Sequence, residues 1–191
     1  MTLNQEQIMN YFTRIGLNYD DYKCHKLDGQ LLAKLCFAHN ISIPFENLDI
    51  LNHKMISLDG SILYDKIITK HRGGLCFELN GLSEIFLRSL GFGVKDLSSR
   101  FFRDAGDDIP MQRHRLLKVE AVDGTYIWDI GIGQRSPKYP LRLAEGLVQK
   151  QCGEVYKLEK EAFYDWCPPE YYKEQWLRIL SFTEQQQIAA D

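Results

Sequence analysis

His71-Arg72-Gly73-Gly74-Leu75-Cys76-Phe77-Glu78-Leu79-Asn80 joins a glycine pair to the start of an apolar helical pattern. Leu79, Leu82 and Phe86 continue that pattern on one face, and Gly91 is placed to end it. The glycine pair lets the backbone turn where a side chain would clash. A helix that starts at Cys76 aims unpaired N–H groups and a partial positive charge at the thiol. Such a setting favours the thiolate, which is the reactive form of cysteine.

Upstream, the reading is helical. Ile8, Phe12 and Ile15 share one face before Gly16. Asp28 is positioned to cap a second helix that carries Leu31, Leu35 and Ala38 and ends near Asn40. Ile43 to Leu51 contains Pro44 and reads as extended or turning. A third helix begins near Ser61, with Leu63 and Ile67 four apart. After Gly91 the texture changes. Phe92 to Arg103 is rich in β-formers, and Asp123-Gly124 separates His114–Val122 from Thr125–Ile130, which predicts a hairpin. Val155–Lys160 and Gln175–Phe182 read as single strands, and Thr183–Asp191 as a polar end with no packed element. Tyr164, Trp166, Tyr171, Tyr172 and Trp176 form an aromatic stretch that sheet packing explains. Helices followed by strands predict an α+β fold. It consists of an N-terminal helical bundle, residues 1–91, packed on an antiparallel β-barrel or sheet, residues 92–191.

Composition narrows the function classes. The chain has 191 residues, 45% of them hydrophobic, so a sizeable core is expected. A net charge of −3 gives no basic excess for nucleic acid, and no apolar run is long enough to span a membrane. The first ten residues show no signal-peptide pattern. Five cysteines without CxxC spacing support neither a zinc site nor a disulfide framework, which points to the cytoplasm and to no metal. Cys36 reads as a small buried core residue, and the same default applies to Cys24, Cys152 and Cys167.

A cysteine nucleophile needs an imidazole, and the imidazole an orienting group. Of the five histidines, His25, His39 and His53 read as surface or capping residues, and His71 as a structural group beside the glycines. His114 opens one strand of the hairpin and Asp129 closes the other, just before Gly131 and Gly133. A short hairpin makes them neighbours, so Cys76, His114 and Asp129 form a candidate catalytic set. Arg72 and Glu78 read as an ion pair that pins the loop to the helix, and Phe45 as a candidate pocket wall.

These residues also carry a resemblance. Pro44-Phe45-Glu46-Asn47, Arg72-Gly73-Gly74-Leu75-Cys76-Phe77-Glu78 and Asp129-Ile130-Gly131-Ile132-Gly133 are similar, in order, to motifs of the arylamine N-acetyltransferases. Cys76 and His114 lie 38 residues apart and His114 and Asp129 lie 15 apart, as in that family. The resemblance implies an acetyltransferase with Cys76 as nucleophile, His114 as its imidazole and Asp129 as the orienting carboxylate. It implies acetyl-CoA as co-substrate, no bound cofactor, and an aromatic amine or hydrazine as acceptor. The Cys-His-Asp order is also similar to that of cysteine-protease-like cores, which keeps thiol hydrolase open beside an inactive truncated paralogue. Ile132 stands where relatives often have phenylalanine in the acceptor pocket, so an altered amine preference is expected. Relatives continue into a C-terminal third domain past the position of Asp191. The expectation is weaker donor binding, a wetter cleft and self-association through the uncovered surface.

Overall fold

Residues 1–102, 109–133, 137–163 and 165–184 are described by a computed structural model. Helix α1 spans Gln5–Arg14, and Asn4 caps it by accepting from the Gln7 N–H. Helix α2 spans Gly29–Ser42, and the Asp28 carboxylate accepts from Leu31 N at 2.9 Å, the cap expected from sequence. Two short helices follow, α3 at Leu48–Leu51 and α4 at Gly60–Tyr64. Asp59 caps α4, which continues into a π-helical turn over Asp65–Thr69. Helix α5 spans Cys76–Leu90 and ends at Gly91 with φ +102°, a left-handed terminus that glycine adopts without steric cost.

Strands begin immediately afterwards: β1 at Gly93–Phe101, β2 at Gln112–Ala121 and β3 at Gly124–Trp128. Then come β4 (Leu141–Arg142), β5 (Gln149–Gln151), β6 (Glu154–Tyr156), β7 (Glu159–Glu161), β8 (Asp165–Cys167), β9 (Pro169–Tyr172), β10 (Gln175–Arg178) and β11 (Leu180–Phe182). They form a seven-stranded sheet in the order β4-β3-β2-β1-β11-β8-β7 and a four-stranded sheet in the order β10-β9-β6-β5. All pairings between these strands are antiparallel.

Strand alternation gives the large sheet two buried faces. Val94, Leu117, Val119 and Trp128 face the helices and join Phe12, Leu32, Leu82 and Phe86 in one core. Leu97, Leu116 and Ile127 face away and join Tyr156, Trp166 and Phe182 in a second. The α+β reading therefore holds, and the change from helix to strand falls at Gly91. The first core nevertheless runs across that point, because α5 packs on β1 and β2.

Several sequence expectations need correction. Val155–Lys160 is not one strand: it divides into β6 and β7, which lie in different sheets, with Tyr156 and Leu158 both fully buried at the crossing. Gln175–Phe182 divides likewise at Ile179. All four β10 residues are exposed, and all three β11 residues are buried. Strands that turn a corner between sheets bury neighbouring residues on both sides, so period-two reading cannot find the break. The Pro44 segment is extended only at Phe45, which bridges Gly74, and then forms α3. His39 is a buried α2 residue, not a surface one; burial, reinforced by Arg14, drives its pKa down to about 3 and keeps it neutral. Cys24 and Cys152 are exposed, whereas Cys36 and Cys167 are buried. Arg103, Tyr164 and the tail at 185–191 lie outside the described residues.

Leu82 is fully enclosed in the first core, and Ile62 is about half exposed. Leu82→Ala is expected to lower the unfolding free energy by about 2–5 kcal/mol. Ile62→Ala should change it by less than about 0.5 kcal/mol. Urea denaturation followed by circular dichroism measures both.

Candidate active site

The Gly73–Gly74 pair is needed for space rather than for a left-handed turn. The residue with positive φ is His71, at +54°; neither Gly73 nor Gly74 has one. A Cβ on Gly73 would lie 1.9 Å from the Pro44 carbonyl oxygen. Without side chains, the two backbones meet: Glu46 N donates to Gly74 O at 3.0 Å and Gly74 N to Pro44 O at 3.3 Å. That contact seats Phe45 beside the start of α5.

Arg72 and Glu78 do not pair with each other. The Arg72 guanidinium holds Glu46 at 2.7 Å and Asp49 at 3.2 Å, while Glu78 is held by Lys66 at 2.6 Å. Lys66 also reaches Asp49 at 2.7 Å, so the five charges form one chain from the Pro44 segment to α5. The second Glu78 oxygen accepts from Leu75 N at 2.9 Å, satisfying a helix-start donor directly before Cys76. The charge signs made a pair legible in the sequence; the partners depend on how the Pro44 segment folds back.

His114 and Asp129 meet across the base of the β2–β3 hairpin. His114 Nε2 lies 2.6 Å from Asp129 Oδ2, and both side chains are nearly inaccessible to solvent. Burial alone would lower the imidazole pKa. The Asp129 charge, its hydrogen bond and the Cys76 thiol act the other way and push it up to about 10. With Nε2 committed to Asp129, Nδ1 is the nitrogen left for Cys76, a side-chain partner of the same ring. Cys76 Sγ also lies 3.9 Å from the Arg113 carbonyl.

Asn80 is a residue that sequence reasoning missed. It is fully buried, one helical turn after Cys76 on the same face. Its amide donates to Asp129 Oδ1 at 3.1 Å and to Arg115 O at 2.6 Å, and its Oδ1 accepts from Ile130 N at 3.3 Å. Gly131 N donates to the same Asp129 oxygen at 2.9 Å. The i, i+4 spacing from Cys76 was the available signal. Gly131 also crosses the helix start so closely that a Cβ there would lie 2.6 Å from Cys76 Cβ.

A cavity of about 510 Å³ opens beside Cys76 and His114. Cys76 and His114 form its floor, with Phe45, Phe101, Met111, Arg113 and Ile132 among its walls. Asp129 lies behind His114 and does not line it. Among the described residues, no group of three or more His, Cys, Asp or Glu side chains is placed to share a metal ion, and no helix is long and apolar enough to cross a membrane.

Residues 28–191 match a family model described as N-acetyltransferase. The arylamine N-acetyltransferase / N-hydroxyarylamine O-acetyltransferase of Salmonella typhimurium is 39% identical over 80% of this chain and 54% of its own length. The Escherichia coli arylamine N-acetyltransferase is 37% identical over 93% of this chain and 62% of its own. The chain belongs to the arylamine N-acetyltransferase family. Among solved structures, the Salmonella typhimurium arylamine N-acetyltransferase superposes with a TM-score of 0.89 at 34% identity, over 98% of this chain and 66% of that one. The Mycobacterium marinum arylamine N-acetyltransferase in complex with CoA superposes with a TM-score of 0.85 at 31% identity, over 95% and 66%. The chain thus spans between about half and two-thirds of the length of these arylamine N-acetyltransferases.

The folded pKa of His114 lies above its ordinary value near 6.5, so its pairing stabilises the fold fully below that pH and progressively less as pH rises towards 10. Wild-type stability is expected to fall across that window. His114→Gln should lack this component of the slope. Asp129→Asn should move the imidazole midpoint, read by NMR, below that of the wild type.

Proposed function

We propose that the chain catalyses acetyl transfer from acetyl-CoA to an aromatic amine or hydrazine, with Cys76 as nucleophile, His114 as proton carrier and Asp129 as orienting group. The observation that carries this reading is the buried 2.6 Å His114–Asp129 contact beneath a cavity floored by Cys76. In the first half-reaction the sulfur attacks the thioester carbonyl, an S–C bond forms, and the CoA sulfur leaves with a proton from His114. In the second, the amine nitrogen attacks acetyl-Cys76 and the Cys76–acetyl bond breaks. His114 takes the nitrogen's proton. Unpaired N–H groups at the start of α5 are available to the oxyanion of each tetrahedral intermediate.

Phe45 and Ile132 are assigned to the acceptor subsite, since both line the cavity beside Cys76. Ile132 gives an aliphatic wall, and Phe45 supplies an aromatic face. We also assign the helical residues 1–91 and the strand residues 92–191 to separate domains, with the site at their seam. All five cysteines are free, which accords with a reducing cytoplasm.

Self-association belongs to the same proposal. Ile41, Leu51 and Met55, which expose 67%, 65% and 97% of their surface on the helical side, are the apolar side chains we offer for contact between copies. Sedimentation velocity over a concentration series should show a dimer or larger species; a constant monomer would remove this part.

Mass spectrometry after mixing with acetyl-CoA alone is the deciding experiment. The expected result is one acetyl group on Cys76, discharged by an added arylamine with formation of its N-acetyl product. Cys76→Ala should acquire none. Discharge only to water would assign the site to a hydrolase instead, and an unmodified Cys76 would overturn the reading.

A further inference from the structure

Regular pairing would send Arg113 and His114 to opposite faces of β2. The register is not regular there. Ser99 pairs with His114 but Arg100 pairs with Gln112, so Arg113 is the extra residue of a β-bulge. A bulge bends the strand and re-aims the side chain it carries, and bulges concentrate beside active sites. Here both Arg113 and His114 line the cavity over Cys76.

Arg113 is an exposed residue. It touches Met111 Sδ at 2.9 Å, and among the described residues it meets no carboxylate at ion-pair distance. Among the described residues, no aspartate or glutamate lines the cavity. Among the described residues, the lining therefore carries Arg113 and the His114 imidazole with no carboxylate beside them, a setting that favours an anion. The residue's backbone passes close to the reacting sulfur, its carbonyl lying 3.9 Å from Cys76 Sγ, and its side chain lines the same cavity. The phosphates of CoA are carried at the far end of the pantetheine arm, away from the thioester. An anion that reaches both Arg113 and Cys76 therefore belongs to the group that reacts.

We propose that Arg113 is a specificity-determining residue that anchors a carboxylate on the reacting substrate, and that the bulge exists to present it. The carboxylate can be carried by the acceptor, as in an aminobenzoate, or by the acyl group, as in a malonyl thioester. The substrate half of this inference rests on the acyl-transfer reading above. The anion-binding half does not.

Alkylation of Cys76 tests the anchor without any transferase activity. Thiolate displaces iodide from iodoacetate, which carries the anion, or from iodoacetamide, its neutral analogue. The ratio of the two rates in wild type should exceed that in Arg113→Met by about tenfold, the scale of one partly exposed charge-assisted hydrogen bond. Arg113→Lys should retain part of the ratio, and Arg113→Glu should fall below Arg113→Met. Iodoacetamide alkylation in each variant reports whether the site is intact. An unchanged ratio in Arg113→Met overturns the proposal. Two further arms then assign the source. 4-Aminobenzoate is compared with 4-aminobenzamide in discharging acetyl-Cys76, and malonyl-CoA with acetyl-CoA in loading it. The arm whose charged-to-neutral preference collapses in Arg113→Met identifies the partner carrying the carboxylate, through KM or kcat/KM. A response in neither arm overturns the substrate role. Failure of acetyl-CoA and malonyl-CoA alike to load Cys76 counts against the transferase reading, and the alkylation ratio still decides the anchor.

Discussion

The contact between His114 Nε2 and Asp129 Oδ2 joins two side chains withdrawn from water. A buried carboxylate and imidazole are costly when separated, because each loses hydration without gaining a partner. Together they satisfy one another, and the other carboxylate oxygen, Oδ1, accepts from Asn80 and from Gly131 N. The pair therefore constrains more than itself. β2 and β3 must keep their register, the loop after Trp128 must turn inward, and α5 must lie close enough for Asn80 to reach across. That last requirement places Cys76, one helical turn earlier, over the imidazole.

This dependence accounts for the distribution of small residues around the site. Gly131 passes over the start of α5 at a distance that no side chain permits, and Gly73 does the same against Pro44. Neither is needed for an unusual φ. Both mark places where backbone must approach backbone so that Cys76 and Phe45 face one cavity. The chain of charges from Arg72 through Glu46, Asp49 and Lys66 to Glu78 then fixes these segments laterally. Its members are largely withdrawn from solvent, so removing one partner leaves another charge uncompensated, and the arrangement behaves as a unit.

The legible parts of the fold were those set by local rules. Asp28 and Gly91 bound their helices by capping chemistry, and Asp123-Gly124 marks the hairpin, although its two turn residues are Val122 and Asp123 and Gly124 already pairs with Ala121. The order and spacing of Cys76, His114 and Asp129 were readable because a hairpin is short and a helix start is marked by glycines. The strand breaks at Ile179 and between Tyr156 and Leu158 were not readable, since burial there is set by which sheet the chain is joining. Asn80 was invisible for a related reason. An asparagine inside an amphipathic helix reads as a polar interruption until its partners, drawn from residues 35 to 50 positions away, are known. His39 reversed the usual expectation because α2 is buried over more of its circumference than a single apolar stripe indicates.

The bulge at Arg113 shows how the same strand can serve two demands. β2 must pair with β1 along most of its length to hold both cores, with Leu116 facing one and Leu117 the other. At its beginning it must also deliver an imidazole into a cavity. Strict alternation would allow one residue of the pair 113–114 to face that space. One inserted residue allows both, and it does so near the strand's start, where the loss of a ladder hydrogen bond disturbs neither core. The carbonyl of this extra residue lies 3.9 Å from Cys76 Sγ, and its side chain is a cation with no carboxylate partner among the described residues. A bulge required only to end the pairing would be served by any residue. A cation at that position adds a second charge-bearing group beside the imidazole, and polarity near a reacting atom discriminates between substrates more sharply than apolar area does, because a charged group left unpaired is penalised and a methylene merely goes uncounted.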